Sequence, residues 1–273
     1  YGYGEPFLEN EIDYLIKRFN KVVIISHNTS SQYKREISDN VDIYRLSYEI
    51  SKLEKLISLT SVFKRLFWEE IKHIRYSLNI SLSLGIIKTL FISLYNAEKL
   101  RKNYSNIISK YDSHHTHYCY SYWANDSSLA LAILKNQNDN IKCLSRIHGW
   151  DVYFEPSKYK YLPFRKFIAD NLDSIFSISK KGMDYCIGNW KIKNSSKIKL
   201  SRLGVQKQVC LKQLSDDYLL VSCSNLIPLK RIDLLIQSLA LIKFKIKWVH
   251  FGDGIMFDNL IRMSKETLPN NVN

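Results

Sequence analysis

The chain of 273 residues carries 45% hydrophobic, 24% charged and 13% aromatic residues, a balance that excludes intrinsic disorder and suits one large domain or two modest ones. Its formal net charge of +14 fits an anionic partner such as a phosphorylated substrate, anionic lipid or nucleic acid, or plain solubility combined with Lys-rich coding. Five cysteines (Cys119, Cys143, Cys186, Cys210 and Cys223) with no CxxC pair suggest a reducing cytoplasm rather than a disulfide framework, and no run of about 18 uncharged apolar residues reads as a membrane span.

The chain opens on a Gly-containing loop, YGYGEPF, and continues into a helical pattern with Phe7, Leu8, Ile12, Leu15, Ile16 and Phe19 at helical spacing. A loop leading into a helix implies a strand before it, so a first strand is expected upstream of Tyr1. KVVIIS (Lys21–Ser26) and DIYRLS (Asp42–Ser47) read as strands, the former as a buried one. Residues 61–108 read as long helices. Within them, Ser61–Asn79 places Val62, Leu66, Phe67, Ile71, Ile74 and Leu78 inward and Lys64, Arg65, Lys72 and Arg75 outward. That basic face suits a core-facing amphipathic helix, or peripheral contact with an anionic membrane.

HTHYCY (His115–Tyr120), KCLSRIH (Lys142–His148), SIFSIS (Ser174–Ser179) and KIKLSRLGV (Lys197–Val205) alternate with helices near Trp123–Lys135, Tyr161–Asn171 and Lys180–Gly188. The alternation predicts an α/β domain with a doubly wound parallel sheet over 1–205. A polar linker over 206–217 leads to a second α/β segment, 218–273. It consists of LLVSCS (Leu219–Ser224), a helix from Lys230 to Ile242, KWVHF (Lys247–Phe251), a glycine turn and a helix from Met256 to Thr267. Two strands and two helices leave a sheet face open, so this second domain is expected to be partial.

In parallel sheets ligands bind beyond the carboxyl ends of strands, which marks three loops, at Gly2 and Gly4, at His148-Gly149 and at Ser179-Lys180, and two turns of the second segment stand out beside them. Gly2 and Gly4 sit in the opening loop, and His148-Gly149 ends a strand with Asp151 one turn on, positioned to orient the histidine or a sugar hydroxyl. Lys230-Arg231 stands at a helix start, where two cations oppose the helix dipole unless an anion is held there. Gly252 and Gly254 form a turn that permits close backbone approach to a ligand, or is simply tight. His115, His117 and Cys119 share a strand face, but consecutive strand positions do not make a tetrahedral metal site. The sequence contains no Walker A, nucleophile-elbow, HExxH or RNA-recognition signature.

The ordered set GYGEPFLENEI, RIHGWD, SISKKGMDYC, SRLGV, SCSNLIPLKRIDLLIQSLALI and HFGDG resembles glycosyltransferase family 4, and in flavour its bacterial branch that builds exopolysaccharide, colanic-acid-like or O-antigen chains. The resemblance runs over essentially the whole chain. It implies a GT-B fold of two Rossmann-like domains with Gly4, His148 and Lys230 lining one cleft, and hexosyl transfer from a nucleotide-diphosphate sugar with retention. It further implies no metal, no other cofactor, and a lipid-linked or polysaccharide acceptor at the inner face of the cell membrane. By the same resemblance Gly2 and Gly4 approach the donor phosphates, His148 lies near the transferred sugar, and Lys230 neutralises the leaving diphosphate. Asn225, where many members carry Arg, adds a donor contact without charge, and Arg231 compensates. The family's two-glutamate donor motif would lie beyond Asn273, so the chain by itself is expected to bind donor poorly and to be inactive. A GT-B nucleotide-sugar epimerase and a non-enzymatic basic nucleic-acid-binding module are the rival readings; the favoured one has no nucleic-acid partner.

Overall fold

The computed structural model of the chain describes residues 6–27, 38–47, 49–112, 114–138, 140–205 and 218–272. The chain divides into two compact units, Tyr1–Gln206 and Lys207–Asn273. Gly2, Gly4, Cys210 and the expected linker at 206–217 lie outside the described residues.

Unit 1 begins with α1 (Pro6–Arg18), followed by β1 (Val22–Ser26) and β2 (Val41–Arg45), which pair in parallel with Val22 opposite Val41. A helical run follows: α2 (Lys52–Ile57), a 3₁₀ segment (Ser58–Phe63), α3 (Arg65–Lys72), a π-helical turn (His73–Ser77) and α4 (Leu84–Ile108). Then β3 (His117–Ser121), α5 (Asp126–Lys135), β4 (Ile141–Ile147), α6 (Arg165–Asn171), β5 (Ser174–Ser177), α7 (Lys180–Asn189) and β6 (Ile198–Leu200) build a four-stranded parallel sheet in the order β3-β4-β5-β6.

Parallel strands need crossover connections, and here the crossovers are helices that cover the sheet. On one face, α5 docks through a hydroxyl contact of 2.7 Å between Ser128 and Ser145. On the other face, α1 lies over β3 and β4: Phe19, just past its end, meets the Tyr118 ring at a tilt, with centroids 5.5 Å apart, and Glu11 pairs with Arg146 at 2.8 Å. The core runs through Leu90, Leu94 and Ala97 of α4, the α5 run Leu129–Leu134, and Cys143, Ile147, Ile175 and Trp190.

The expected inward face of 61–79 is present, with Phe67 and Ile74 buried, but the segment is not one helix. It passes from 3₁₀ to α to π geometry, and Asn79 turns into the left-handed region at φ 54°, which Asn tolerates better than most residues. Its basic face is also partly neutralised, because Lys64 pairs with Glu98 (2.7 Å) and Arg65 with Glu69 (2.6 Å).

Unit 2 contains β7 (Tyr218–Cys223), a 3₁₀ turn (Pro228–Lys230), α8 (Ile232–Leu239), β8 (Ile246–Phe251) and α9 (Phe257–Thr267). β7 and β8 pair in parallel from Tyr218–Ile246 to Cys223–Phe251. Helices α8 and α9 enclose a small core of Leu226, Ile232, Ile236 and Leu260, with Trp248 packed against it. Leu219, Val221, Cys223 and Phe251 are exposed. Every strand pairing among the described residues is parallel, and the fold class is α/β.

Candidate functional site

Two groups of candidate residues lie at the carboxyl ends of strands, one in each unit. In unit 1, His148 follows the last residue of β4. Its turn is built around Asp151, which is fully buried. One carboxylate oxygen of Asp151 accepts the backbone N–H groups of His148 (2.9 Å) and Gly149 (3.1 Å), and the other accepts that of Ala124 (3.0 Å). Its carbonyl accepts Arg165 Nε at 2.9 Å. Asp151, expected to orient His148 or a sugar hydroxyl, commits its carboxylate to three backbone donors and fixes the loop that carries His148.

The His148 ring lies between aromatic neighbours, with centroids 6.2 Å from Tyr122 and 5.9 Å from Trp123. Burial lowers its pKa, opposed by the Asp151 charge and assisted by Arg146, so the imidazole is held neutral at neutral pH.

Around it stands a polar cluster that sequence reasoning missed. Arg146 donates to Tyr120 Oη (2.7 Å) and to the Ser201 carbonyl (3.2 Å), and pairs with Glu11. Tyr122 Oη donates to Glu11 at 2.9 Å. Burial raises the Tyr120 phenol to about 12, which keeps it a proton donor. Two signals existed in the sequence. Arg146 is a cation inside an apolar strand, two residues before His148 and on the same side by strand alternation. Glu11 stands on the helix expected to lead into β1.

In unit 2, two loops leave β7 and β8 side by side. The N–H of Ser224 donates to Phe251 O (3.0 Å), that of Leu226 to Asp253 O (2.8 Å), and that of Met256 back to Leu226 O (3.0 Å). This contact is why glycines stand at 252 and 254. Their φ angles are +153° and +156°, and a Cβ would sit 1.9 Å from Ser224 O and 2.5 Å from Leu226 O, respectively. Both glycines thus admit close approach of the neighbouring loop's backbone. Beneath them, His250 Nδ1 contacts Ser222 Oγ at 2.8 Å, and Trp248 Nε1 donates to that same hydroxyl at 2.9 Å.

Asn225 and Lys230 are exposed, and Lys230 makes no ion pair with the described residues. The helix does not begin at Lys230. Lys230 ends the 3₁₀ turn, Arg231 is left-handed at φ 52°, and α8 starts at Ile232. Arg231 is tied to Asp233 through Nε (3.1 Å) and Nη2 (3.0 Å). Asp233 thus supplies an anion next to the cation at this helix start. Of the two adjacent cations, Lys230 alone is left without a described ion-pair partner. Among the described residues, no helix is long and apolar enough to cross a membrane.

No family model matches the sequence, and no curated protein matches it. Solved structures with a similar arrangement include a S. aureus TarM mutant in complex with fondaparinux, alpha-GlcNAc-glycerol and UDP, with 17% identity over 65% of this chain and 36% of that one and a TM-score of 0.44. Another is the lipopolysaccharide outer core galactosyltransferase WaaB, with 16% identity, 66% and 48% coverage and a TM-score of 0.48. A third is Acinetobacter baumannii MurG, with 10% identity, 99% and 61% coverage and a TM-score of 0.48. The chain spans between 36% and 61% of the length of these three.

Proposed function

We propose that this chain belongs to a retaining GT-B glycosyltransferase that moves a hexosyl group from a nucleotide-diphosphate sugar to a lipid-linked or polysaccharide acceptor, at the cytoplasmic face of a membrane and without a metal. The observation that carries this reading is the loop pair of unit 2. It places an exposed Lys230 and Asn225 beyond the ends of two parallel strands, where α/β sheets hold ligands. Breaking the glycosidic bond leaves negative charge on the diphosphate. A cation fixed at that position stabilises charge that develops only in the transition state. Lys230 takes this role, Asn225 adds a neutral hydrogen-bond donor, and Gly252 and Gly254 keep the two loops in register. On the acceptor side the neutral His148 contributes a hydrogen bond to the transferred sugar, held in place by Asp151.

The reading is tested by assaying sugar transfer from a panel of nucleotide-diphosphate sugars, with Lys230→Ala and Arg231→Ala compared at saturating donor. Lys230→Ala lowers turnover by about 10²-fold or more, the loss expected from one preorganised charge-stabilising donor. Arg231→Ala has a much smaller effect, because its guanidinium already serves Asp233. Unchanged turnover in Lys230→Ala sinks the assignment. Conversion of the donor sugar without an acceptor would indicate an epimerase instead.

A further inference from the structure

Two cysteines of unit 1 lie side by side in the parallel sheet. Cys119 of β3 and Cys143 of β4 are opposite each other in the strand register, so both side chains project from the same face. Adjacent strands run about 4.7–4.9 Å apart, inside the roughly 4.4–6.8 Å between Cα atoms that a disulfide spans. Both are free thiols, and the Cys143 S–H donates to the Cys119 sulfur. Cys186 on α7, by contrast, is a single buried thiol whose pKa burial pushes up.

The two paired thiols are not equivalent. Cys143 is fully buried in the core, whereas Cys119 is partly exposed on β3, the outer strand of the four-stranded sheet. The hydrogen bond from Cys143 lowers the Cys119 pKa against the opposing effect of burial. The same contact, joined by burial, raises that of Cys143. Cys119 therefore ionises first and is reached first, while Cys143 keeps its proton and stands behind it. Reversible cysteine oxidation needs this division between an accessible thiolate and a resolving thiol within reach. In a reducing environment such pairs serve as transient, redox-sensing disulfides.

We propose that Cys119 and Cys143 form a reversible oxidation site, closed to a disulfide by a hydroperoxide and reopened by a thiol reductant. With hydrogen peroxide, the Cys119 thiolate attacks one oxygen: an S–O bond forms and the O–O bond breaks. The departing hydroxide takes up the proton that Cys119 released. The Cys143 sulfur then attacks the sulfur of the Cys119 sulfenic acid. An S–S bond forms, the S–O bond breaks, and the hydroxyl leaves as water with the Cys143 proton. Each sulfur gives up one electron, and the peroxide is reduced to two waters. The bond ties together the two strands that lead into Tyr122 and Trp123 on one side and His148 on the other, so the oxidation state fixes how far those loops can part. The site takes neither donor nor acceptor, so it and the glycosyltransferase reading can fail independently.

The experiment treats the whole folded protein with hydrogen peroxide, blocks the remaining thiols with iodoacetamide and maps a non-reducing digest by mass spectrometry. The peptides holding Cys119 and Cys143 are expected as one linked species, lighter by two hydrogens than the reduced pair, which dithiothreitol separates. Cys186 stays a thiol. Cys143→Ser halts the sequence at the sulfenic acid, so Cys119 takes up dimedone. In Cys119→Ser, oxidation of Cys143 is slower by about tenfold or more. Amide exchange over β3 and β4 of the linked protein slows by about tenfold or more, because the strands can no longer separate. The proposal is overturned if the linked peptide does not form, or forms as readily in protein unfolded by urea. It is equally overturned if Cys119 takes up no dimedone in Cys143→Ser, or if exchange over β3 and β4 is the same in the linked and reduced proteins.

Discussion

Two glycine-to-alanine substitutions should act in opposite directions, and the geometry says by how much. At Gly252 a Cβ falls 1.9 Å from the Ser224 carbonyl oxygen and 3.2 Å from His250 Nε2. Even a close C···O contact needs about 3.3 Å, so the two loops would have to part by more than an ångström. That movement breaks the Ser224 N–H···Phe251 O and Leu226 N–H···Asp253 O bonds, at 3.0 and 2.8 Å. Overpacking costs about 1–3 kcal/mol, the positive φ about 1–2 kcal/mol for a non-glycine residue, and each lost hydrogen bond about 1 kcal/mol. Gly252→Ala therefore costs about 4 kcal/mol or more, a large share of the roughly 3–10 kcal/mol available to a unit of this size. At Gly188, on α7, nothing lies within 4 Å of a built Cβ and φ is ordinary. There alanine stabilises by about 0.5–1 kcal/mol through helix propensity and a less mobile unfolded chain. The assay is thermal unfolding followed by protease cleavage in unit 2 and by the fluorescence of Trp248, its one tryptophan. A Gly252→Ala protein that melts with the parent would refute the close-approach argument, as would a Gly188→Ala protein that melts well below it.

Three further outcomes follow from buried or capping groups. Glu70 is fully buried and accepts Tyr161 Oη and the Phe164 N–H (2.8 Å); burial raises its pKa, opposed by those two hydrogen bonds. A carboxyl with a raised folded pKa holds its proton longer in the native state, so stability falls as pH rises from its unfolded value to its folded one. Glu70→Gln keeps an acceptor for both donors and should remove that slope from the melting temperature between pH 4 and 8; an unchanged slope would show that Glu70 does not carry it. Asp151→Asn replaces one of two acceptor oxygens with a donor facing backbone N–H groups, costing about 2–4 kcal/mol, read as a lower urea midpoint for unit 1; a midpoint equal to the parent's would contradict its role in the His148 turn. Ser51→Ala removes the N-cap of α2 and costs about 1 kcal/mol locally. Amide exchange should accelerate over residues 52–57 with little change in the global melt, since α2 buries nothing, and unaltered exchange there would discount the capping box.

Much of the fold is legible from local pattern. The β-branched run at Val22–Ser26, the apolar strand at Ile141–Ile147 and the helix from Lys180 appear in the structure within a residue or two of where periodicity puts them. Each depends on nearest-neighbour sterics and a single buried face. The helical stretch 61–108 is less legible, because a left-handed Asn79 and a π-turn interrupt an apolar pattern that never stops being helical in spacing. Likewise, local pattern puts a helix start at Lys230, but Arg231 adopts positive φ and hands the start to Ile232.

The sequence by itself determined the alternating α/β order, the parallel strands, the inward face of 61–79 and the positions of the glycine turns. All of these follow from side-chain period and backbone sterics within a few residues. Tertiary structure alone decided which polar groups are spent and which remain. Asp151 and Arg231 are chemically plausible ligand groups in the sequence, yet the first is saturated by three backbone donors and the second is paired with Asp233. Glu11 and Arg146, which stand far apart in the chain, meet beside His148 only because α1 lies over β4. The reason is physical: hydrophobic periodicity is a local property, whereas a charge is neutralised by whatever the fold brings within about 4 Å of it, and one-dimensional spacing does not encode that distance.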